Sequence, residues 1–426
     1  MKFSTSLRSG SVRWAAPVIL FLTGLYYVVG EKAPLASSYH YAPSIVAEPL
    51  QTLYALAYAT AAALACWESG GLRNARILAL APARSRFRIA ANTLAPVLVL
   101  SWAVLLIPAA ISLARSATVP SLDSLRLPLA GMVLCVAHAI LGFAVGCWIP
   151  RIIGTPIVAV ADWVTVAFTR AVLPYWPRHV SGQFDSIGFG EVPDFVTIGV
   201  PILLAGGVAA GLMILWLPRG WLALRVMVAA VVAVGGVLGA QREASEWSAT
   251  APLTAGHVAM KCTGSAPRVC VPEFNARYLA QFQRDTANAL HTLRGAGATS
   301  ASPRLITDGY VDGRLQKSST DAEWHMVLTG PLQSGDAVYQ VMIRSLHFRC
   351  DQVPARSAHS AWLWAAKKTG QEKQYLKRRQ AEGRDPVAQK LEKQVQADVA
   401  LILAEQRAEQ AEWIRHTLDT CEAKTP

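Results

Sequence analysis

The stretch Gly220–Ala240, GWLALRVMVAAVVAVGGVLGA, decides how this chain is organised. It carries a single charge, Arg225, and it is the last long apolar run before the composition changes. Six similar runs precede it, at 12–30, 46–67, 89–114, 127–149, 152–173 and 195–217. About 20 consecutive apolar residues suffice to cross a hydrocarbon layer about 30 Å thick, so each run is a candidate membrane span. Residues 1–240 hold 16 Lys and Arg against 8 Asp and Glu, whereas 241–426 hold 24 and 20. The chain therefore reads as a polytopic α-helical membrane domain over 1–240, with six or seven spans, followed by a soluble α+β domain over 241–426.

Whether Gly220–Ala240 spans decides on which side the second half lies. With the N-terminus inside, the inner segments carry Lys2, Arg8, Arg13, Arg73, Arg76, Arg84, Arg86, Arg88, Arg151, Arg219 and Arg225. The short outer loops carry only Lys32, Arg115, Arg126, Arg170 and Arg178. The positive-inside rule thus orients the N-terminus toward the cytoplasm, and seven spans leave the C-terminal domain outside. Residues 12–30 follow a basic start, but Val28-Val-Gly-Glu31 lacks a small-x-small cleavage site, so this run is expected as a retained first span.

The cysteines address the same compartment question. Cys66, Cys135 and Cys147 fall in or beside spans and read as small buried apolar residues. Cys262, Cys270, Cys350 and Cys421 all lie in the soluble half, an even number that suits disulfides outside the cytoplasm. The short stretch between Cys262 and Cys270 contains Gly264, Ser265 and Pro267, turn formers that bring its ends together. Cys262–Cys270 is the expected first pair, and Cys350–Cys421 follows by elimination. A zinc site is the rival, but there is no Cys-x-x-Cys, and His257 and His347 are not at ligand spacing.

Within the soluble half, Phe274, Tyr278, Leu279, Phe282, Ala289, Leu290 and Leu293 recur at helical spacing, predicting a helix over 273–294 that Gly295 and Gly297 end. Strands are expected at 304–307, 323–328 and 338–343, and two long helices at about 359–383 and 386–421. The first of these helices is basic, with Lys367, Lys368, Lys373, Lys377, Arg378 and Arg379. That face is read as solvated or in contact with acidic lipid headgroups; nucleic acid is a poor partner for an external domain.

Catalytic motifs are missing. No Gly-Lys dipeptide occurs, so there is no Walker A loop; no His precedes Glu; and no Gly-x-Ser-x-Gly elbow exists. Any energy input must come from a partner, and no cofactor or metal is implied. Two ionisable residues sit inside spans, His138 and Asp162, and such groups are costly in lipid and functional candidates by default. They either line a polar path or hydrogen-bond to fix two spans together. Trp14, Trp67, Trp148, Trp176, Trp216 and Trp221 fall near span ends as interfacial belt residues. The outer loop 174–194 is aromatic-rich and is expected to be interfacial or re-entrant. A third reading, an intramembrane or external enzyme, rests only on His138 with Asp162 or on residues such as Asp308, His325 and His347.

The connection after the second span is unusual: Trp67-Glu-Ser-Gly-Gly71, then Leu78-Ala-Leu-Ala-Pro-Ala-Arg-Ser-Arg86. A Glu at the membrane edge, a small-residue break, a short helix over about 72–81, and Pro82-x-Arg84-x-Arg86 form its pattern. It resembles the loop after the second span of ABC-2-type transporter permeases. The resemblance covers this loop and, loosely, the spans from 12 to 217. It implies that Glu68, Gly70, Gly71, Pro82, Arg84 and Arg86 form a coupling element for a separate ATP-binding cassette subunit, with Glu68 anchored at the membrane boundary. The same arginines also serve as a topology signal. The resemblance further implies a bacterial cell membrane, export, and pairing as a homodimer or with a related permease subunit. The family usually has six spans and ends inside, so the seventh span and the extra domain depart from it. The alternative is a membrane-anchored extracytoplasmic binding or scaffold protein without transport activity.

Overall fold

The computed structural model describes residues 10–30, 40–75, 85–217, 221–298, 303–349, 352–382 and 385–421. It divides into two compact units, Met1–His257 and Val258–Pro426.

The first unit is helical. Its long helices are α1 (Val12–Gly30), α2 (Ala42–Asn74), α3 (Arg86–Arg115), α4 (Arg126–Trp148), α5 (Arg151–Phe168), α6 (Phe195–Leu215) and α7 (Leu222–Ala244). Among the described residues these seven elements are long and apolar enough to cross a membrane. Their outward faces suit lipid: Ile152, Ile157 and Val160 of α5, and Leu222, Val231 and Leu238 of α7, are all more than half exposed. Such a surface suits a multi-pass membrane protein and is foreign to a soluble one.

Helix α2 is the axis of the unit. Its 33 residues rise about 1.5 Å each, so it is about 50 Å long. Leu50, Leu53, Tyr54, Ala57, Tyr58, Ala61, Ala65 and Cys66 have no exposed surface. Alanines dominate it, and α4 answers with glycines. A Cβ on Gly142 would stand 1.9 Å from the Ala62 carbonyl oxygen, and one on Gly146 would stand 2.0 Å from Ser69 Oγ. The Gly142-x-x-x-Gly146 face therefore lets the two backbones touch, the usual means of tight helix pairing in lipid. Helices α6 and α7 repeat the device, with Gly207 facing Gly236 and Gly211 facing Ala229.

Glycine also corrects the reading of the 67–86 connection. Gly70 and Gly71 do not break the helix; α2 runs through them to Asn74. A Cβ on Gly70 would lie 2.7 Å from Arg151 Cβ, so this glycine admits a neighbouring helix. Leu72–Asn74 form the last turn of α2; the rest of the expected short helix, 76–81, and Pro82 and Arg84 lie outside the described residues.

After α5 the chain makes a short helix, Trp176–Val180, and β1 (Glu191–Pro193), which pairs antiparallel with β2 (Leu253–Ala255). That pairing, and the extension of α7 to Ala244, keep residues 241–257 with the first unit. Phe184, Ile187 and Phe189 of the intervening loop are buried. The loop folds back into the bundle, as its aromatic content leads one to expect.

The second unit is α+β. Its sheet has the order β3 (Met260–Thr263), β4 (Arg268–Pro272), β5 (Leu305–Asp308), β6 (Glu323–Met326). The β3–β4 hairpin is antiparallel and the other pairs are parallel. Cys262 and Cys270 face each other in the hairpin register and form a disulfide. Cys421 is also disulfide-bonded, while its expected partner Cys350 lies outside the described residues. The crossover between β4 and β5 is α8 (Ala276–Gly295), which buries Leu279, Phe282, Ala289, Leu290 and Leu293 as its periodicity requires.

The expected third strand at 338–343 is a helix, α9 (Ala337–Ser345). Its buried residues include Val338, Val341, Met342 and Ser345, spaced as one helical face. A six-residue run that is apolar except for Gln340 fits either period, and packing against α8 and its neighbours decided the matter. The two long helices each divide. Gly370, at φ 72°, separates α10 (Ala355–Lys368) from α11 (Glu372–Glu382). The Gln406–Glu409 capping box restarts the chain as α13 (Arg407–Asp419) after α12 (Pro386–Ala404).

The α2–α4 contact yields a controlled test. Gly142→Ala is expected to destabilise the helical unit by about 1–3 kcal/mol, because its methyl group has no room. Gly199→Ala on α6, where nothing lies within 4 Å, leaves it unchanged. Thermal unfolding of both variants in detergent reads the difference.

Candidate functional site

The polar centre of the helical unit is built on α2, α4 and α5. His138 sits midway along α4 and is buried. Its Nδ1 lies 2.8 Å from Asp162 Oδ1 on α5. The two span-embedded ionisable residues singled out from the sequence are thus a hydrogen-bonded pair. The second carboxylate oxygen, Asp162 Oδ2, is buried and has no hydrogen-bond partner among the described residues.

Tyr58 of α2 closes the other face of the imidazole. The two rings stack with centroids 4.7 Å apart and planes within 6°. The Tyr58 hydroxyl donates to the Gly182 carbonyl of the folded-back loop, at 3.0 Å. One helical turn away, Tyr54 stacks on Tyr58 and meets Phe184 of the same loop edge-on. The Tyr54 hydroxyl is likewise buried and unpartnered. Gln183 Nε2 donates to the Gln51 carbonyl. The loop is pinned from behind by Asp185, which pairs with both Arg170 and Arg178. His179 Nε2 lies 2.8 Å from the Ser248 carbonyl oxygen. Burial pushes the His179 imidazole down, opposed by that hydrogen bond.

The arrangement can hold and reorient a proton, or offer a carboxylate oxygen to a polar group entering the bundle. Sequence reasoning found His138 and Asp162 and missed Tyr54, Tyr58 and Gly182. Two tyrosines four residues apart in an alanine-rich span were the available signal, since i and i+4 share one helix face.

A second cluster lies at the C-terminal end of α2. Glu68 Oε1 accepts from both the backbone N–H and the hydroxyl of Ser11, each at 2.6 Å. Ser11 immediately precedes α1, so Glu68 anchors the start of that helix through a serine. The Arg151 guanidinium at the start of α5 lies over the Trp67 ring, 4.7 Å from its centroid. Arg86, the first residue of α3, is exposed. Of the belt tryptophans, Trp14, Trp148 and Trp221 are more than three-quarters exposed, while Trp67 is engaged by Arg151 and Trp216 packs on Phe143.

In the second unit, Asp308, His325 and His347 do not converge on one centre. Asp308 is fully buried and accepts from Tyr310 N, Leu328 N and the Thr329 hydroxyl. It ties β5 to the segment after β6, and burial pushes its carboxyl up despite these donors. His347 is exposed, and His325 lines a separate cavity.

Comparison with protein-family models, with curated proteins and with solved structures found no match. What the fold itself supports is a helical unit with, among the described residues, seven helices of membrane-spanning length and composition, and an α+β unit with a disulfide-closed hairpin.

Two expectations follow. In a double-mutant cycle of His138→Ala and Asp162→Ala, the coupling energy is about 0.6–2 kcal/mol, as for polar pairs between membrane helices. Reversible unfolding in mixed micelles measures it, and additive single variants would remove the pair's structural role. For Asp308, a raised carboxyl means that the folded state binds the extra proton. Its contribution is present at low pH and is lost as pH rises through the raised value. The stability of the wild type relative to Asp308→Asn therefore declines as pH climbs above the ordinary carboxylate range, as denaturant titrations at a series of pH values would show.

Proposed function

We propose that the chain is the membrane subunit of an ATP-driven transporter, an exporter, powered by a separate ATP-binding protein that docks on the 68–88 connection. The observation that carries this reading is the joint at the end of α2. There Glu68 holds the start of α1, and Trp67 and Gly70 receive Arg151 of α5. A displacement applied at this joint is passed to α1, α2 and α5 at once, and α2 carries it along the axis of the bundle to Tyr58, against which His138 stacks. With no Walker A loop in the sequence, this reading assigns ATP hydrolysis to a partner. The resemblance to ABC-2-type permeases supplies the remainder: a bacterial cell membrane, an inside N-terminus, and assembly as a homodimer or with a related subunit. Seven spans and the Cys262–Cys270 disulfide support an extracytoplasmic second unit.

The alternative is a membrane-anchored extracytoplasmic binding or scaffold protein. One span serves an anchor, and a buried His138–Asp162 pair has no use in it, so transport accounts for more of the helical unit.

The test is purification of the chain from its native membrane in mild detergent. A stoichiometric ATP-binding subunit is expected to accompany it and to be lost from the Pro82→Ala, Arg86→Glu variant. Glu68→Gln is expected to keep that subunit while ATP hydrolysis loses its dependence on transport. If no ATP-binding protein accompanies the chain, or if the Glu68 and Pro82 variants transport normally, the coupling role is wrong.

A further inference from the structure

The second unit contains a cavity of about 500 Å³ between β6, α9, α10 and α11. That volume suits a small organic ligand. Its lining is unusual in charge. Arg344, Arg378 and Arg379 all reach it, with His325 and Trp362.

The acidic groups that answer these cations are few. Glu392 takes up Arg379 at 3.2 Å and also accepts from the Tyr375 hydroxyl. Asp336 stands 3.8 Å from Arg378, too far for a hydrogen bond. Asp312 stands 3.7 Å from His325 Nδ1, also beyond one. Arg344 pairs with no carboxylate among the described residues; its guanidinium lies 5.8 Å from the Trp324 ring centroid.

Arg378 Nε and Trp362 Nε1 have no hydrogen-bond partner among the described residues, but both are closed to a water-sized probe and so lie behind the wall, as does the unpartnered carboxylate oxygen Asp336 Oδ1. What the cavity presents is a surplus of cationic charge: three guanidinium groups reach it, and the carboxylates Asp336 and Glu392 stand beside only Arg378 and Arg379. An anionic group is the chemistry that complements such a lining. The rest of the wall combines Ile343, Val327 and the ring of Tyr339, on which Arg378 also stacks at 4.9 Å, with the polar Gln340 and His359.

We propose that this cavity is a binding site for a phosphate monoester borne on a flat or apolar body. Arg344 and Arg378 receive the oxyanion, and Ile343, Val327 and the Trp362 ring cover the apolar part. Guanidinium groups suit this task because their fork matches two oxyanion oxygens at once. The site does not depend on the transporter reading; an extracytoplasmic binding protein could use it equally.

The phosphate could belong to a soluble metabolite or to a lipid headgroup, and two probes separate these sources. The full-length protein, in phosphatidylcholine nanodiscs, is titrated calorimetrically with phenyl phosphate and with dihexanoyl phosphatidic acid, phenol serving as the neutral control. Saturable binding of at least one phosphate is expected, with none for phenol. Tighter binding of phenyl phosphate assigns a soluble ligand, and tighter binding of the phosphatidic acid assigns a lipid headgroup. Arg344→Ala is expected to weaken binding by about tenfold or more, the usual worth of a hydrogen bond to a charged group. Arg344 is exposed, so its removal does not threaten folding. Arg415→Ala on α13 leaves binding unchanged. The site is refuted if neither phosphate binds, if phenol binds equally well, or if Arg344→Ala retains wild-type affinity.

Discussion

Close backbone contact between α2 and α4 is the constraint on which the helical unit rests. In lipid, apolar side chains gain nothing by leaving one hydrocarbon environment for another, so helices associate through packing and hydrogen bonds. Gly142 and Gly146 bring α4 against the small residues Ala62, Cys66 and Ser69, where any side chain would overlap backbone. With that contact made, α2 is enclosed along almost its whole length. Its neighbours are then set at distances where the next interactions, polar and aromatic, can form.

The His138–Asp162 pair is one such consequence. Neither residue could be left unpartnered in an apolar interior without a large cost. Their meeting requires α4 and α5 to lie side by side, and the Tyr58 ring fixes the imidazole plane from the α2 side. The folded-back loop supplies the Gly182 carbonyl that satisfies Tyr58. A chain of contacts therefore runs from the loop, through α2 and α4, to the carboxylate of α5. At the far end of α2, Glu68 and Trp67 tie in α1 and α5. The axis helix thus connects a polar centre to a helical joint, and the two clusters share one rigid element. The second unit solves a different problem, that of a small sheet with an edge. The hairpin at that edge is cross-linked at its paired cysteines, and α8 covers the sheet with its apolar stripe.

Much of this was legible in the residues. Apolar runs marked all seven long helices, because the length needed to cross a membrane is set by the solvent and not by the fold. The spacing of Cys262 and Cys270 around Gly264 and Pro267 identified the disulfide, since a short loop brings its own ends together. The helical stripe from Leu279 to Leu293 was equally clear. The run 338–343 was not, because six residues with Gln340 as their single polar member satisfy both a strand and a helix, and only the surfaces offered by α8 and its neighbours select between them. Gly70 and Gly71 were misread for a related reason. Glycine reads as a break when the chain is considered alone, and as a contact point once Arg151 is seen to occupy the space.

What the sequence by itself determined is therefore local or set by solvent: the apolar spans, the change of character after residue 240, and the pairing of near cysteines. What only the tertiary structure decided is which distant groups meet: Tyr58 with His138, Glu68 with Ser11, and Arg344 with Arg378 around one cavity. Those meetings depend on helix rotation and close approach, and these are settled by steric fit among many residues at once, which no single stretch of chain encodes.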